Sequence, residues 1–209
     1  MSIIFQPFLS IDIETSGLVK DNPYILEIGA HFEDFGFFGK KRDPKENIFH
    51  LCIDNGELSP KRCSKVAMEI NAELLKKIKE NDESDSVRIV NLEQAKKEFR
   101  DFIIGLNKLL SKEKIFGYDP TKFKIQPGGK NFGGFDSVIF NQNNFELDEL
   151  LHHRVVDPGP MYYTDFGFIP SLDQINKKLG RGKVTHIAID DAMDVSFAVA
   201  HLAYKKLGM

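Results

Sequence analysis

An apolar strand that runs out into two carboxylates sets the frame for this chain. In Phe8-Leu-Ser-Ile-Asp-Ile-Glu-Thr-Ser-Gly-Leu18, Leu9, Ile11 and Ile13 fall on one face, and Ser10, Asp12 and Glu14 on the other. The Cα atoms of Asp12 and Glu14 then stand roughly 6.6 Å apart on the same side. Thr-Ser-Gly ends the strand. Two acids at the exit of an apolar strand repel each other and lose hydration, which is costly unless a cation sits between them. The plainer reading is a strand with one wet side, and a lone Asp-x-Glu does not decide between the two. The decision rests on acids elsewhere in the chain.

The following segments fit an α/β domain. Residues 24–36 read as a second strand with a turn near Asp34 to Phe38, and Ile48 to Ile53 as a third, ended by Asp54-Asn55-Gly56. Short links between consecutive strands predict an antiparallel meander. The period then changes. Residues 64–80 place Val66, Ile70, Leu74 and Ile78 at helical intervals. Residues 92–110 carry a cleaner stripe, Leu92, Ala95, Phe99, Phe102, Ile103, Leu106, Leu109 and Leu110, with Asn91 as N-cap. Asn81 to Ser86 reads as a polar loop, Lys40 to Lys45 as a charged loop, and 111–127 as a loop entering a short strand at Phe123 to Gln126. A helix after Asn131, a strand at Arg154 to Asp157, a helix at Ser171 to Leu179 and a last helix from Ala188 to Leu207 complete the pattern. Strands first, then alternating helices and strands, predict a mixed sheet in one domain spanning 1–209.

Two further acidic sites change the odds for the first. Gly128-Gly-Lys-Asn-Phe-Gly-Gly-Phe-Asp136 puts a carboxylate just past a glycine-rich turn, at a helix start. Taken alone, Asp136 is accounted for by the helix dipole. A phosphate loop is excluded, because no Gly-Lys-Ser/Thr closes the motif. In His186-Ile-Ala-Ile-Asp-Asp191-Ala-Met-Asp194, Asp191 heads a stripe continued by Val195, Ala198, Val199 and Leu202. Asp191 therefore faces the core and needs a partner or a metal. Asp190 and Asp194 lie off this line and are expected in solvent. A lone histidine is more often a surface or satisfied core residue, but His186, on the incoming loop beside a buried acid cluster, is a better candidate for a general base.

Composition narrows the class. A net charge of −3 argues against a broad basic surface for a long duplex, but not against a local groove. No apolar run is long enough for a membrane span, and Met1 to Gln6 has no basic region of a secretory signal. Cys52 and Cys63 have no metal-motif spacing and make no disulfide framework, so a reduced, cytoplasmic setting is expected. The 18 phenylalanines read first as core, and Tyr162, Tyr163, Phe166 and Phe168 as packing rather than base stacking.

The acidic segments, in order, resemble the motifs of the DEDD (DnaQ-like) 3′–5′ exonucleases, in the branch with a catalytic histidine. Asp12-Ile-Glu14-Thr-Ser-Gly-Leu18 is similar to the first motif, Asn131-Phe-Gly-Gly-Phe-Asp136 to the second, and His186-Ile-Ala-Ile-Asp-Asp191 to the third. Leu151 to Asp157 resembles a stretch of oligoribonuclease, and Ser171 to Leu179 a helix of polymerase proofreading exonucleases. Gly133 and Gly134 stand where many relatives carry alanine or serine.

The resemblance implies a ribonuclease-H-like fold: a five-stranded mixed sheet, a three-strand antiparallel meander plus parallel strands, flanked by helices. It implies that Asp12, Glu14, Asp136 and Asp191 hold two divalent ions, Mg²⁺ or Mn²⁺, with His186 as general base. Thr15 and Leu18 would contact the terminal nucleotide and Asn131 would line the pocket, with ordinary packing of Leu18 and helix capping by Asn131 as the plainer alternatives. The implied partner is the 3′ end of single-stranded DNA or RNA, or of a short oligonucleotide; a homodimer is compatible with it, and no membrane is involved. Two alternatives stay open. One is a haloacid-dehalogenase-like phosphatase with Asp12 as nucleophile. The other is an inactive module on the same fold that binds nucleic acid or protein.

Overall fold

The computed structural model describes residues 5–35, 47–82, 87–111 and 123–208. The readings at Lys40 to Lys45, at the far end of the turn after Asp34 and over most of the 111–127 loop lie outside these residues.

The sheet is built as the alternation predicts. Strands β1 (Phe8–Thr15), β2 (Ile25–Glu33) and β3 (Ile48–Asp54) form the antiparallel meander. Helices α1 (Lys65–Ile70) and α2 (Ala72–Glu80) lead to β4 (Arg88–Asn91), which runs parallel to β3. The long helix α3 (Leu92–Ser111) follows at once. Strand β5 (Gln126–Gly128) pairs parallel with β1 and precedes α4 (Asp136–Gln142). Short helices α5 (Pro158–Met161), α6 (Tyr163–Phe166) and α7 (Leu172–Lys178) lead to α8 (Ala188–Leu207). The strand order is β4-β3-β2-β1-β5, a five-stranded mixed sheet flanked by helices, as expected.

The two faces of the sheet differ sharply. Leu9, Ile11 and Ile13 of β1, Ile28, Ala30 and Phe32 of β2, and Leu51 and Ile53 of β3 bury one face against Phe99, Ile103 and Leu106 of α3. Phenylalanines dominate that layer. Phe99 lies 5.0 Å from Phe49 and 5.5 Å from Phe140, each pair adding about 0.5–1.5 kcal/mol beyond area burial. The other face is polar. Paired residues across the strands are Asp12, Gly29 and His50 in one row, and Glu14, Glu27 and Cys52 in the next. Helix α8 crosses this face. Gly29 makes the approach possible, since a Cβ there would stand 2.2 Å from the Ala188 carbonyl carbon. The wet-sided alternative for β1 therefore fails: Ser10 and Glu14 are buried along with the apolar set.

Caps fall where the side chains allow them. The Asn91 carboxamide accepts from the Gln94 N–H at 2.9 Å, and Ser171 with Gln174 forms a reciprocal capping box on α7. Of the four aromatics read as packing, Tyr162 is buried with its hydroxyl donating to the Ala198 carbonyl and Phe166 packs against it, whereas Tyr163 and Phe168 are exposed. Cys52 and Cys63 are both free thiols. Among the described residues, no helix is long and apolar enough to cross a membrane.

Several expectations need correction. The helix read over 64–80 is broken at Asn71, and its stripe is not buried: Val66 and Ile70 are 64% and 49% exposed. Asn71 turns inward instead, and its amide donates to the Thr15 carbonyl at 3.1 Å. Strand β4 was not anticipated, because Arg88-Ile-Val-Asn91 is short and runs directly into the α3 signal. The strand expected at Arg154 to Asp157 reduces to a single bridge between Gly128 and Val156. Asp194 is not in solvent. It is buried between α7 and α8, where it accepts from the Asn176 amide and from Arg181 Nε at 2.7 Å.

Candidate active site

Three chain segments bring their acids to the polar face. Asp12 and Glu14 come from β1, Asp136 from the first turn of α4 and Asp191 from the first turn of α8. Each position follows from local sequence. Alternation puts Asp12 and Glu14 on one side of β1. The turn at 130–135 carries Asn131 at φ +63° and starts α4 with Asp136. The apolar stripe of α8 turns Asp191 toward the sheet, ahead of Val195, Ala198 and Val199.

The electrostatics are those of a crowded anionic pocket. Glu14, Asp136 and Asp191 are buried, and Asp12 is partly so. Burial pushes the Asp12 carboxyl well above the usual range, and the charges of Asp136, Asp191 and Glu14 push it further. Burial likewise raises Asp136, although hydrogen bonds from its own N–H and that of Ile13 pull the other way. Glu14 rises to about 7, chiefly by burial, against a hydrogen bond from Asn71 that lowers it. Asp191 also rises to about 7 by burial, opposed by the Thr185 N–H, which donates at 3.3 Å. Every member of the group thus shifts in one direction. Such a set is stabilised either by protons or by cations.

His186 joins the group from the loop before α8. It is exposed and lies in the left-handed region at φ +55°, a conformation uncommon outside glycine and often held where function requires it. Ligand atoms of Glu14, His186 and Asp191 all lie within 4.8 Å of one another, a group that leaves out Asp12 and Asp136 and sets the imidazole beside two carboxylates able to hold a cation. The carboxylate oxygens of the four acids suit hard cations such as Mg²⁺ or Mn²⁺. A cleft of about 510 Å³ opens beside His186, lined by Ile70, Asn71, Leu74 and the polar sheet face.

The nucleotide-contact candidates fare differently. Leu18 is 52% exposed, in the turn just after β1. Thr15 is buried and its hydroxyl donates to the Gly17 carbonyl at 2.8 Å, so it shapes that turn. Asn131 is exposed; its Oδ1 accepts from Lys130 Nζ and its backbone N–H donates to Asp157. Sequence reasoning passed over two residues at the site, Asn71 and Glu27. Glu27 is a buried acid directly opposite Glu14. Its signal was a lone charge inside the apolar run Ile25-Leu26-Glu27-Ile28, and that of Asn71 an amide in mid-helix.

No protein-family model matches this chain, and no curated protein matches it. Solved structures do share the fold. The structure of cell-death related nuclease 4 (CRN-4) matches with a TM-score of 0.63 at 11% identity, over 96% of this chain and 64% of that one. A full-length 3′-exonuclease matches with a TM-score of 0.57 at 13% identity, over 98% of this chain and 62% of that one. The nuclease domain of 3′hExo, a DEDDh family member bound to rAMP, matches with a TM-score of 0.54 at 12% identity, over 96% and 93% of the two chains. The chain thus spans less than two thirds of the first two structures. The chain shares the fold of these structures, and its five-stranded mixed sheet flanked by helices agrees with the fold expected from the sequence.

Proposed function

We propose that residues 1–209 form one exonuclease domain that hydrolyses single-stranded DNA or RNA from the 3′ end, with divalent metal, releasing nucleoside 5′-monophosphates. The observation that carries this reading is the convergence of Asp12, Glu14, Asp136 and Asp191, every carboxyl raised by burial, with His186 at the rim. The shared fold supports it, since the neighbours named above are nucleases and one is bound to rAMP.

The four carboxylates would hold two cations, Mg²⁺ or Mn²⁺, which when bound supply charge stabilisation for the phosphodiester under attack. His186 accepts the proton of the attacking water. The water oxygen forms the new bond to phosphorus, and the bond to the 3′ oxygen of the preceding nucleotide breaks, that oxygen keeping the electron pair and taking a proton from solvent. Exposure suits His186 to this role, because the proton it takes must reach solvent. Leu18 offers an apolar surface to the terminal nucleoside, while Thr15 holds the turn that presents it. Asn131 would line the outer edge of the pocket. An inactive binding module would not need all four acids. An aspartyl phosphatase would leave His186 and Asp136 without a role.

The test is incubation with 5′-labelled single- and double-stranded DNA and RNA, with Mg²⁺ or Mn²⁺. A ladder shortening from the 3′ end is expected, and none with EDTA. Metal binding without hydrolysis of any of these substrates would reject the reading in favour of an inactive module. Trapping of a phosphate mimic on Asp12 would revive the phosphatase.

A further inference from the structure

Glu27 is a fifth acid on the polar face; it is buried, and its oxygens are already occupied. Oε1 accepts from His50 Nε2 at 2.6 Å, and Oε2 accepts from the Ala188 N–H at 3.0 Å. Ala188 is the first residue of α8, and the N-cap Ile187 makes no side-chain capping bond. The N-terminal N–H groups of a helix have no partner within it. Here the partner for the Ala188 N–H comes from the sheet, 161 positions away in sequence. A negative group at that end also complements the helix dipole.

The consequence lies on either side of Ala188. His186 is two residues before it and Asp191 three after, in the first turn of α8. Asp191 depends on that turn, its N–H donating to the Ile187 carbonyl at 3.1 Å. Gly29 lets the helix end settle against β2, but a missing Cβ supplies room and no direction. The Glu27 hydrogen bond supplies the direction. His50, itself side by side with Gly29 on β3, fixes the other carboxylate oxygen and so the rotamer of Glu27.

We infer that Glu27 and His50 are a positioning pair: they clamp the N-terminus of α8 to the sheet and so set His186 and Asp191 against Glu14. The inference rests on the exonuclease reading for its effect on turnover, but not for the clamp itself. Supporting partners of metal-binding groups typically cost about 10–100-fold in activity or metal affinity when removed.

The experiment uses the full chain and three measurements: hydrogen exchange at the Ala188 amide, Mn²⁺ titration, and kcat and KM on a labelled single-stranded oligonucleotide. Glu27→Ala should speed exchange at Ala188, weaken Mn²⁺ binding and lower kcat by about 10–100-fold, with KM little changed. Glu27→Gln keeps an acceptor for Ala188 through its oxygen, and its NH2 can donate to His50 once the imidazole takes the tautomer whose Nε2 accepts. It should return kcat to within roughly 2–5-fold of the parent, the loss matching the missing charge at the helix end. His50→Ala should loosen the same amide. Its effect on kcat should not multiply with that of Glu27→Ala, because the two residues act as a unit.

Unchanged exchange at Ala188 in Glu27→Ala would overturn the clamp. Damage in Glu27→Gln equal to that in Glu27→Ala would do the same, as would independent effects of the two residues. If Glu27→Ala does not fold, Glu27→Gln and His50→Ala still decide the matter by amide exchange. If the parent hydrolyses no nucleic acid while Ala188 still loses protection in the variants, the clamp stands and the exonuclease reading fails.

Discussion

The metal-free protein should lose stability as the pH rises from 4 toward 8. Glu14 moves from an ordinary 4.5 to about 7 on folding, and Asp191 from 3.8 to about 7. Both pKa values are raised in the folded state, so between about 4 and 7 that state holds protons the unfolded chain has released. The stabilisation is present in full below the unfolded values and is lost as pH climbs through the folded ones. At ~1.4 kcal/mol per unit, the shifts correspond to about 3 and about 4 kcal/mol. Neighbouring sites titrate together, so the two effects do not add in full and jointly amount to about 5 kcal/mol. For a chain of this size that is a fall in Tm of roughly 10–20 °C.

A divalent cation replaces the protons. At 100 times its Kd, Mg²⁺ or Mn²⁺ should restore about 2.7 kcal/mol at pH 8. It should do much less at pH 5, where protons compete for the same oxygens. Asp12→Asn removes the charge pressed upon by Asp136, Asp191 and Glu14. That variant should melt higher than the parent without metal at pH 8, and gain little from metal. Scanning calorimetry of EDTA-treated protein across pH 5–8, with and without Mn²⁺, makes the measurement. A Tm that is flat over this range, or that rises with pH in the metal-free protein, would refute the crowded-carboxylate account.

Three other outcomes follow from single contacts. His186→Ala should lower kcat by about 10²–10⁴-fold and leave Mn²⁺ and oligonucleotide binding nearly intact, as read by single-turnover kinetics and titration; equal turnover would exclude the general base. Gly29→Ala sets a Cβ against the Ala188 backbone, which is not the movable end of a side chain. It should cost about 1–3 kcal/mol or more by denaturant unfolding, and activity should fall with it. Asn91→Ala, which removes the cap on α3 away from the acids, should cost about 1 kcal/mol and leave kcat unchanged, serving as the control.

Much of this protein is legible one segment at a time. The alternation in β1, the stripe of α3 with its Asn91 cap, the Ser171 capping box and the start of α8 at Ala188 are properties of neighbouring residues. Asp191 was legible for the same reason, since an acid in line with Val195, Ala198 and Val199 must face what they face. Other features were not. β4 holds four residues and gains its identity by lying beside β3. Val66 and Ile70 have helical spacing, yet no described segment covers them. Asp194 looked solvent-facing from its helix alone, but Arg181 and Asn176 come over it from another segment.

The chain by itself therefore determined β1, α3 and α8 and the acids at the ends of β1 and α8, because helix and strand periodicities are written over a few consecutive residues. Only the tertiary structure decided which acids share one volume. It turned Glu27 from a stray charge in an apolar strand into the partner of His50 and the Ala188 N–H, and brought Asn71 to the Thr15 carbonyl. Those relations depend on strand order, register and the close approach at Gly29, all of them contacts between residues distant in sequence.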